Sequence, residues 1–191
     1  MKTKRQVAVI GLLVFAAAFL VTGCSENSIS SPGDPVQAVG IHVDDIQWIP
    51  AKPEFAEKFT ALKKFVVDGK LITASEGGVV GGPQTYNNSV NFPPNAVNED
   101  TYVTVEVKQS KRKFFYVEFL PSGNFNELVE VTLSWAHLDL EAENLIESLK
   151  VYYSQDNGRY WFPAEVEMLI DPDLKTATFK IDHFTRYGWG I

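Results

Sequence analysis

Short runs of β-favouring residues, separated by turn residues, fill the chain from Leu71 onward. The runs at 102–107 and 176–181 alternate apolar and polar side chains, as in strands with one buried and one wet face. Short strands at close spacing are typical of an all-β fold, and we expect an antiparallel β-sandwich with immunoglobulin-like layers. The strands that we predict are 88–92, 102–107, 114–119, 128–135, 149–153, 161–168, 176–181 and 185–189.

The separators between these runs have clear turn chemistry. Asn157-Gly158 supports positive φ angles, so it predicts a hairpin that pairs 149–153 with 160–162. Asp171-Pro172-Asp173 is favoured as a turn over a calcium site. One short helical turn is expected within 141–149.

The segment before Leu71 supports two interpretations. Apolar residues recur there at spacings of four, three and four, at Phe55, Phe59, Leu62 and Val66. That spacing predicts a short helix beginning at Pro53. The competing interpretation is a hairpin of 62–67 and 70–74 about an Asp68-Gly69 turn. Both hold if the helix ends before Lys64, which is the combination we favour.

The N-terminus has the order of a secretory signal. Basic residues at positions 2, 4 and 5 precede an apolar run of 15 residues from Val7 to Val21, short of the roughly 20 that span a bilayer. Val21-Thr22-Gly23-Cys24 resembles the bacterial lipobox. This resemblance implies cleavage before Cys24, diacylglycerol on its thiol, and membrane lipid as its partner; Ser25 after it favours the outer membrane. The chain has a single cysteine, so no intramolecular disulfide can form.

The predicted organisation is a signal peptide at 1–23, a flexible tether at 24–40 and one β-sandwich domain at 41–191. The tether is rich in Ser and Pro and poor in large apolar groups. Cleavage removes three of the 17 basic residues and none of the 24 acidic ones, so the formal net charge moves from −7 to −10. A domain this acidic is a poor candidate for binding nucleic acid.

Part of the sandwich resembles a known family. Gly77-Gly78 is followed by Phe92-Pro93-Pro94-Asn95-Ala96-Val97, and the chain ends near His183-Phe184-Thr185. Together with the apolar strand and Pro/Gly turn at 117–125, these segments resemble the ZU-five domain, a β-sandwich of ankyrins, netrin receptors and bacterial surface proteins. The resemblance covers about 71–191.

Some relatives of that domain cleave themselves at a His-Phe-Ser site. The resemblance implies Thr185 as the nucleophile, His183 as base or orienting group, and Phe184–Thr185 as the scissile bond. Threonine departs from the serine of that motif, and a last structural strand is the favoured interpretation.

Enzyme and metal constellations are otherwise absent from the sequence. The three histidines, His42, His137 and His183, are dispersed, and neither a nucleophile elbow nor a phosphate-binding loop occurs. We therefore predict a non-catalytic protein with no cofactor and no metal.

Two patches are candidates for binding. The basic run 108–113 is expected at a hairpin tip, where a solvated turn is favoured over a lipid or acidic contact. Tyr153, Tyr160 and Trp161 cluster near one hairpin, where they would bind sugars if exposed and form core if buried. The sequence predicts a membrane-anchored binding or structural module whose partner is an envelope protein or glycan. A carbohydrate-binding lipoprotein and a self-cleaving domain stay open as alternatives.

Overall fold

The computed structural model describes residues 39–61, 65–140 and 148–191, which form an antiparallel β-sandwich. They belong to one compact unit that extends from Ala38 to Ile191. Cys24, the predicted signal peptide, most of the predicted tether and most of the helical turn predicted within 141–149 lie outside the described residues.

The elements follow one another in chain order. A helix, α1, spans Pro53–Ala61, and a 3-10 turn spans Pro83–Thr85. The strands are β1 Ile41–His42, β2 Phe65–Ile72, β3 Gly78–Gly82, β4 Asn88–Phe92, β5 Thr101–Gln109, β6 Phe115–Leu120, β7 Asn124–Ser134, β8 Lys150–Ser154, β9 Tyr160–Pro163, β10 Leu169–Asp171, β11 Thr176–His183 and β12 Arg186–Gly190.

Two sheets pack face to face around the main core. The larger sheet has the order β1-β9-β8-β12-β6-β5-β2, and the smaller has the order β10-β11-β7-β4-β3. Alternate residues of β5 and β7 point inward and are almost fully buried: Val103, Val105, Val107, Val129, Val131 and Leu133. Each such side chain contributes about 1.5–3 kcal/mol by leaving water. The period-two pattern of the sequence is thus the signature of this core.

The predicted helix is confirmed, beginning at Pro53. Its apolar face buries Phe55 and Phe59 against Phe115, with ring centroids 5.0 and 4.6 Å apart. Tyr86 lies against both helix rings as well. The short helix α1 therefore joins the main core through aromatic contacts.

The predicted Asp68-Gly69 hairpin is wrong, because β2 runs straight through both residues and pairs with β5 over its whole length. Gly69 serves a different purpose there. A Cβ atom on it would lie 2.7 Å from the Tyr102 hydroxyl oxygen, so glycine lets the tyrosine ring lie against the β2 backbone. The Asp68 carboxylate accepts the Gly81 backbone N–H at 2.9 Å, which ties β2 to the other sheet.

The other strand predictions hold with shifted ends. The hairpin of β8 and β9 is confirmed, with Tyr153 opposite Phe162. β9 ends at Pro163, well before the predicted residue 168, because proline has no N–H for the ladder. Three short strands were not predicted, and of these β3 is glycine-rich, which gives it little β-propensity.

Residues 41–50 lie across the outer face of the larger sheet, and we call them the N-terminal strap. Val43 and Ile46 are buried with Tyr152 and Trp161 in a second, smaller apolar cluster. Trp48 stacks on Phe114 at a centroid distance of 4.0 Å and an angle of 7°. The strap thus covers part of an outer face that would otherwise expose large aromatic rings.

Candidate functional site

The three aromatic residues that would bind sugars if exposed do not form one platform. Trp161 is 1% exposed within the strap cluster, and its indole N–H donates to the Gly158 carbonyl at 3.0 Å. Tyr160 is exposed at the start of β9, opposite His42 of β1, with the Arg159 guanidinium over its ring at 5.4 Å. Tyr153 faces the opposite side of the sheet from Trp161, as strand alternation requires.

Tyr153 instead forms one wall of a cleft between the two sheets. Its ring stacks on Phe162 at 5.5 Å and 30°. The cleft has a volume of about 380 Å³, is lined by residues of β8, β9 and β11, and opens to solvent. Its larger apolar lining residues are Leu128, Tyr153, Phe162, Val166, Phe179, Ile181 and Tyr187.

Polar groups stand at the rim of this cleft. Glu165 and Lys180 line it on two sides, and Asp182 and His183 line it at the end of β11. The His183 imidazole binds the Asp182 carboxylate through Nδ1 at 2.7 Å and the Gln155 side chain through Nε2 at 2.9 Å. The hydrogen bond from His183 is the main reason that the pKa of Asp182 lies below its usual range. Apolar walls with a few polar groups at the rim are the general form of a small-molecule site.

A tight loop holds the strands that carry Tyr153 and Phe162. The Ser154 hydroxyl donates to Asp156 at 2.9 Å and accepts the Gly158 N–H at 2.9 Å. One Asp156 carboxylate oxygen accepts the backbone N–H groups of Arg159 and Tyr160 at 3.1 and 3.0 Å. Burial alone would raise the pKa of Asp156, but these hydrogen bonds outweigh it and the pKa is lowered. The Asn157-Gly158 turn predicted from the sequence lies in this loop, with φ angles of 63° and 83°.

The residues of the implied self-cleavage site lie close in sequence but have separate partners. Thr185 is buried, and its hydroxyl donates to the Ser154 carbonyl. His183 uses both ring nitrogens on Asp182 and Gln155, so the hydrogen bonds found among the described residues do not join it to Thr185. A general base must reach the proton that it removes, and this arrangement does not place His183 on the Thr185 hydroxyl. The Phe184 ring packs against Phe119 in the core.

The basic run begins within β5 and continues through the predicted tip between β5 and β6, and two of its four cations form ion pairs. Lys108 contacts Glu106 and Glu118 at 2.5 Å each, and Arg112 pairs with Asp44 of the strap. A paired cation attracts a lipid headgroup less strongly, since its field is largely cancelled. The solvated turn therefore fits this segment better than a headgroup contact.

In residues 39–61, 65–140 and 148–191, no three or more His, Cys, Asp or Glu side chains are placed to hold a metal ion. Over the same ranges, no helix has the length and hydropathy needed to cross a membrane. Asp171 accepts the N–H groups of Asp173 and Leu174 at 3.0 and 2.9 Å, so this segment forms a turn as predicted.

The described residues therefore form an antiparallel β-sandwich with an apolar cleft between its two sheets. No protein-family model matches the chain, and no curated protein matches it. The ZU-five and lipobox resemblances therefore stay predictions from the sequence. Sequence reasoning found Tyr153 but missed Leu128, Phe162 and Ile181. These three residues come from β7, β9 and β11, and they lie together only because the two sheets pack on each other.

Proposed function

We propose that the protein is a lipid-anchored, non-catalytic binding module of the bacterial cell envelope, and that its inter-sheet cleft takes a small amphipathic ligand. The observation that carries this proposal is the apolar cleft with a polar rim. Its volume of about 380 Å³ falls within the roughly 300–1,000 Å³ range of ligand sites.

The lining indicates the chemistry of the ligand. An apolar body would pack between the Tyr153–Phe162 pair and the β11 side chains Phe179 and Ile181. Its polar end would meet the rim at His183, where hydrogen-bonding groups are already ordered. Removal of apolar surface from water would drive binding, and the rim would set the orientation.

The anchor in this proposal is Cys24, acylated after signal cleavage. More than one acyl chain makes anchoring stable, at about 0.8 kcal/mol per buried methylene. The Ser- and Pro-rich tether would then hold the sandwich at a distance from the bilayer.

The cleft is tested with decanoate and anilinonaphthalene sulfonate as probes, on a form of the chain that begins at Ala38. Leu128 lines the cleft and is 54% exposed, so Leu128→Asp places a charge in the cleft without disturbing the core. Leu169→Asp is the matched control, because Leu169 is 75% exposed and does not line the cleft. We expect both probes to bind the parent and the control, and to bind Leu128→Asp at least about tenfold more weakly. Equal binding by both variants would contradict the proposal.

The anchor is tested on the full chain in cells. Cys24→Ala should either release the domain into the soluble fraction or leave an unprocessed precursor. A processed Cys24→Ala protein that still sediments with membranes would show that the lipobox interpretation is wrong.

A sugar is the second candidate ligand. The observation that favours it is the Tyr153–Phe162 pair, whose half-buried rings lie beside the carboxylates of Asp182 and Glu165. Aromatic faces pack against the C–H groups of sugars, and carboxylates accept their hydroxyls. Titration with octyl glucoside, free glucose and decanoate separates the two: a sugar site binds both sugar-containing probes, whereas an apolar site binds only those with an alkyl chain.

Self-processing has a separate test. The intact mass of the denatured full chain, measured after purification, is expected to show one species unbroken at Phe184–Thr185. A fragment ending at Phe184 would establish self-processing instead.

A further inference from the structure

β2 is the edge strand of the larger sheet. Among the described residues, β5 is the strand that pairs with it, over eight consecutive residue pairs from Phe65 to Ile72. The backbone groups on the other side of β2 have no strand beside them in the described part of the sheet. An edge of this length is a template for pairing with another chain.

The outward face of this edge is apolar. Phe65, Val67 and Leu71 recur at alternate positions of β2 and are 47%, 46% and 53% exposed. Tyr102 of β5 stands directly opposite Leu71 and is 62% exposed. We call these four residues the edge stripe. The N-terminal strap covers a different part of this outer face, and the edge stripe lies outside it.

The inward face of the same strand carries two opposite charges. Asp68 and Lys70 flank Gly69, one residue away on either side. Lys70 is exposed, and Asp68 is half-buried with its carboxylate on the Gly81 N–H. Edge strands commonly carry a lysine that prevents association. Here Asp68, on the same face of β2, can neutralise the lysine of a second strand that pairs with this edge.

We propose that two copies of the chain pair antiparallel along β2, with Gly69 of one copy opposite the partner's Gly69. In this register Asp68 lies opposite the partner's Lys70, and Lys70 lies opposite the partner's Asp68. On the outer face, Val67 lies opposite the partner's Leu71, and the two edge stripes become continuous. The two larger sheets then form a single sheet across a two-fold axis.

The charges select this register. A shift that centres the pairing on Asp68 places two carboxylates opposite each other, and one that centres it on Lys70 places two ammonium groups together. A shift by a single residue sets the apolar face of one strand beside the charged face of the other. Opposite charges across a strand pair are favourable and like charges are unfavourable, so the Gly69-centred register is preferred. Charge complementarity of the strand with itself is therefore the argument for a second copy as the occupant.

The first experiment exchanges charges in the full chain. Two versions of the chain, each with a different C-terminal tag, are co-expressed. Lys70→Asp sets acidic residues opposite each other, and Asp68→Lys sets basic residues opposite each other. Each variant alone should self-associate about tenfold more weakly than the parent, measured by co-purification and by light scattering. A mixture of the two variants restores both ion pairs and should associate as the parent does.

The exposed position of Lys70 keeps Lys70→Asp from disturbing the core. Asp68→Asn is included as a control for Asp68, because it keeps an acceptor for the Gly81 N–H while removing the charge. Restoration in the mixed pair is the decisive result, since a folding defect in either variant would not be repaired by mixing. Association of Lys70→Asp as strong as that of the parent, or a monomeric parent, would overturn the proposal.

The second experiment measures the register by cross-linking. Val67→Cys and Leu71→Cys chains are co-expressed, and oxidation should join them because the proposed register places these residues opposite each other. Val67→Cys with Val79→Cys is the control, since Val79 is 50% exposed but belongs to the smaller sheet. The parent chain, whose own cysteine is Cys24, gives the background. A cross-link from position 67 to a different polypeptide, or equal yields in the test and control pairs, would also overturn the proposal.

Discussion

Glu118 is a buried carboxylate that lies between two cations on the outer face of the larger sheet. Lys108 and Arg186 each bind one of its oxygens at 2.5 Å, and only 8% of the residue is exposed. Burial is the largest influence and would raise the pKa of Glu118, but the hydrogen bonds from the two cations outweigh it and lower the pKa. Lys108 shows the reciprocal effect: burial opposes its charge, the two carboxylates favour it, and its pKa is raised.

We expect Glu118→Gln to lower the free energy of unfolding at neutral pH by about 1–3 kcal/mol, because two cations lose a charged acceptor. The contribution of a carboxylate with a lowered pKa is present above its unfolded value of 4.5 and is lost as the pH falls through the lower folded value. Urea unfolding at neutral pH and below pH 4.5 should therefore show a difference that shrinks in acid. Glu127→Gln, at an exposed position, is the control and should leave stability unchanged.

At the scale of elements, the sequence predicted those helices and strands whose own residues show a clear helical or strand periodicity. The spacing of Phe55 and Phe59 predicted α1, and alternation predicted β5 and β11. The Asp68-Gly69 pair misled because its turn preference is weaker than eight residues of pairing with β5 and the packing of Tyr102 on Gly69. The sequence did not predict β3, because its glycines have little β-propensity and are needed for close contact with β4. A Cβ at Gly81 would lie 2.3 Å from the Asn88 carbonyl oxygen.

The docking of α1 rests on one fully buried ring. Phe59 has 0% of its surface exposed and packs on Phe115 and Tyr86. Phe59→Ala should lower the free energy of unfolding by about 3–5 kcal/mol, because it removes buried area and leaves a cavity. Glu57→Ala, on the exposed face of the same helix, should cost far less. Urea unfolding of both variants measures the difference, and similar losses in the two would show that α1 is not held by its apolar face.

His137 connects this helix to the sandwich and gives the docking a pH dependence. Its ring stacks on Phe55 at 4.5 Å and 8°. Burial is the main cause that lowers the pKa of His137 below 6.5, and the nearby cations Lys52 and Lys58 add to it. The folded state thus holds the ring neutral while the unfolded chain takes up a proton, so stability declines as the pH falls below 6.5, down to the lowered folded value.

We expect His137→Phe to keep the stack on Phe55 and to remove this part of the acid sensitivity. Urea midpoints at about pH 7.5 and about pH 5 are compared for parent and variant, a window above the region where Glu118 titrates. The parent should lose more stability over this interval than the variant. An identical loss in both proteins would assign the acid sensitivity to other groups.

At the scale of the whole molecule, the sandwich class followed from the sequence, but the cleft did not. Its walls come from β8, β9 and β11, and Leu128 joins them from β7. Such a site depends on which strands of the two sheets lie beside each other. The residue pattern along one strand does not predict that arrangement. The sequence likewise did not predict whether Trp161 is buried, because either face of its strand could be covered. It is buried because the N-terminal strap covers its face of the sheet.

The strap also bears on where the folded unit begins. The ZU-five resemblance covers about 71–191, yet the compact unit reaches back to Ala38, and it includes a strap whose side chains bury Trp161 and Tyr152. Val43 and Ile46 are 3% and 7% exposed, and each burial is worth about 1.5–3 kcal/mol. A form of the chain that begins at Ala51 keeps α1 but loses the strap, so it should be at least about 3 kcal/mol less stable than one that begins at Ala38.

Urea unfolding of the two forms, followed by tryptophan fluorescence, measures the contribution of the strap. The shorter form should also bind anilinonaphthalene sulfonate more strongly, because it exposes the rings of Phe114, Tyr152 and Trp161 on the outer face. Trp48→Ala in the longer form is the intermediate case: it removes the stack on Phe114 and the contact with Trp161 at 4.8 Å while the rest of the strap remains. Its stability should fall between those of the two forms. If the form that begins at Ala51 unfolded at the same urea concentration as the longer one, the strap would be a surface attachment and the sandwich alone would be the folding unit.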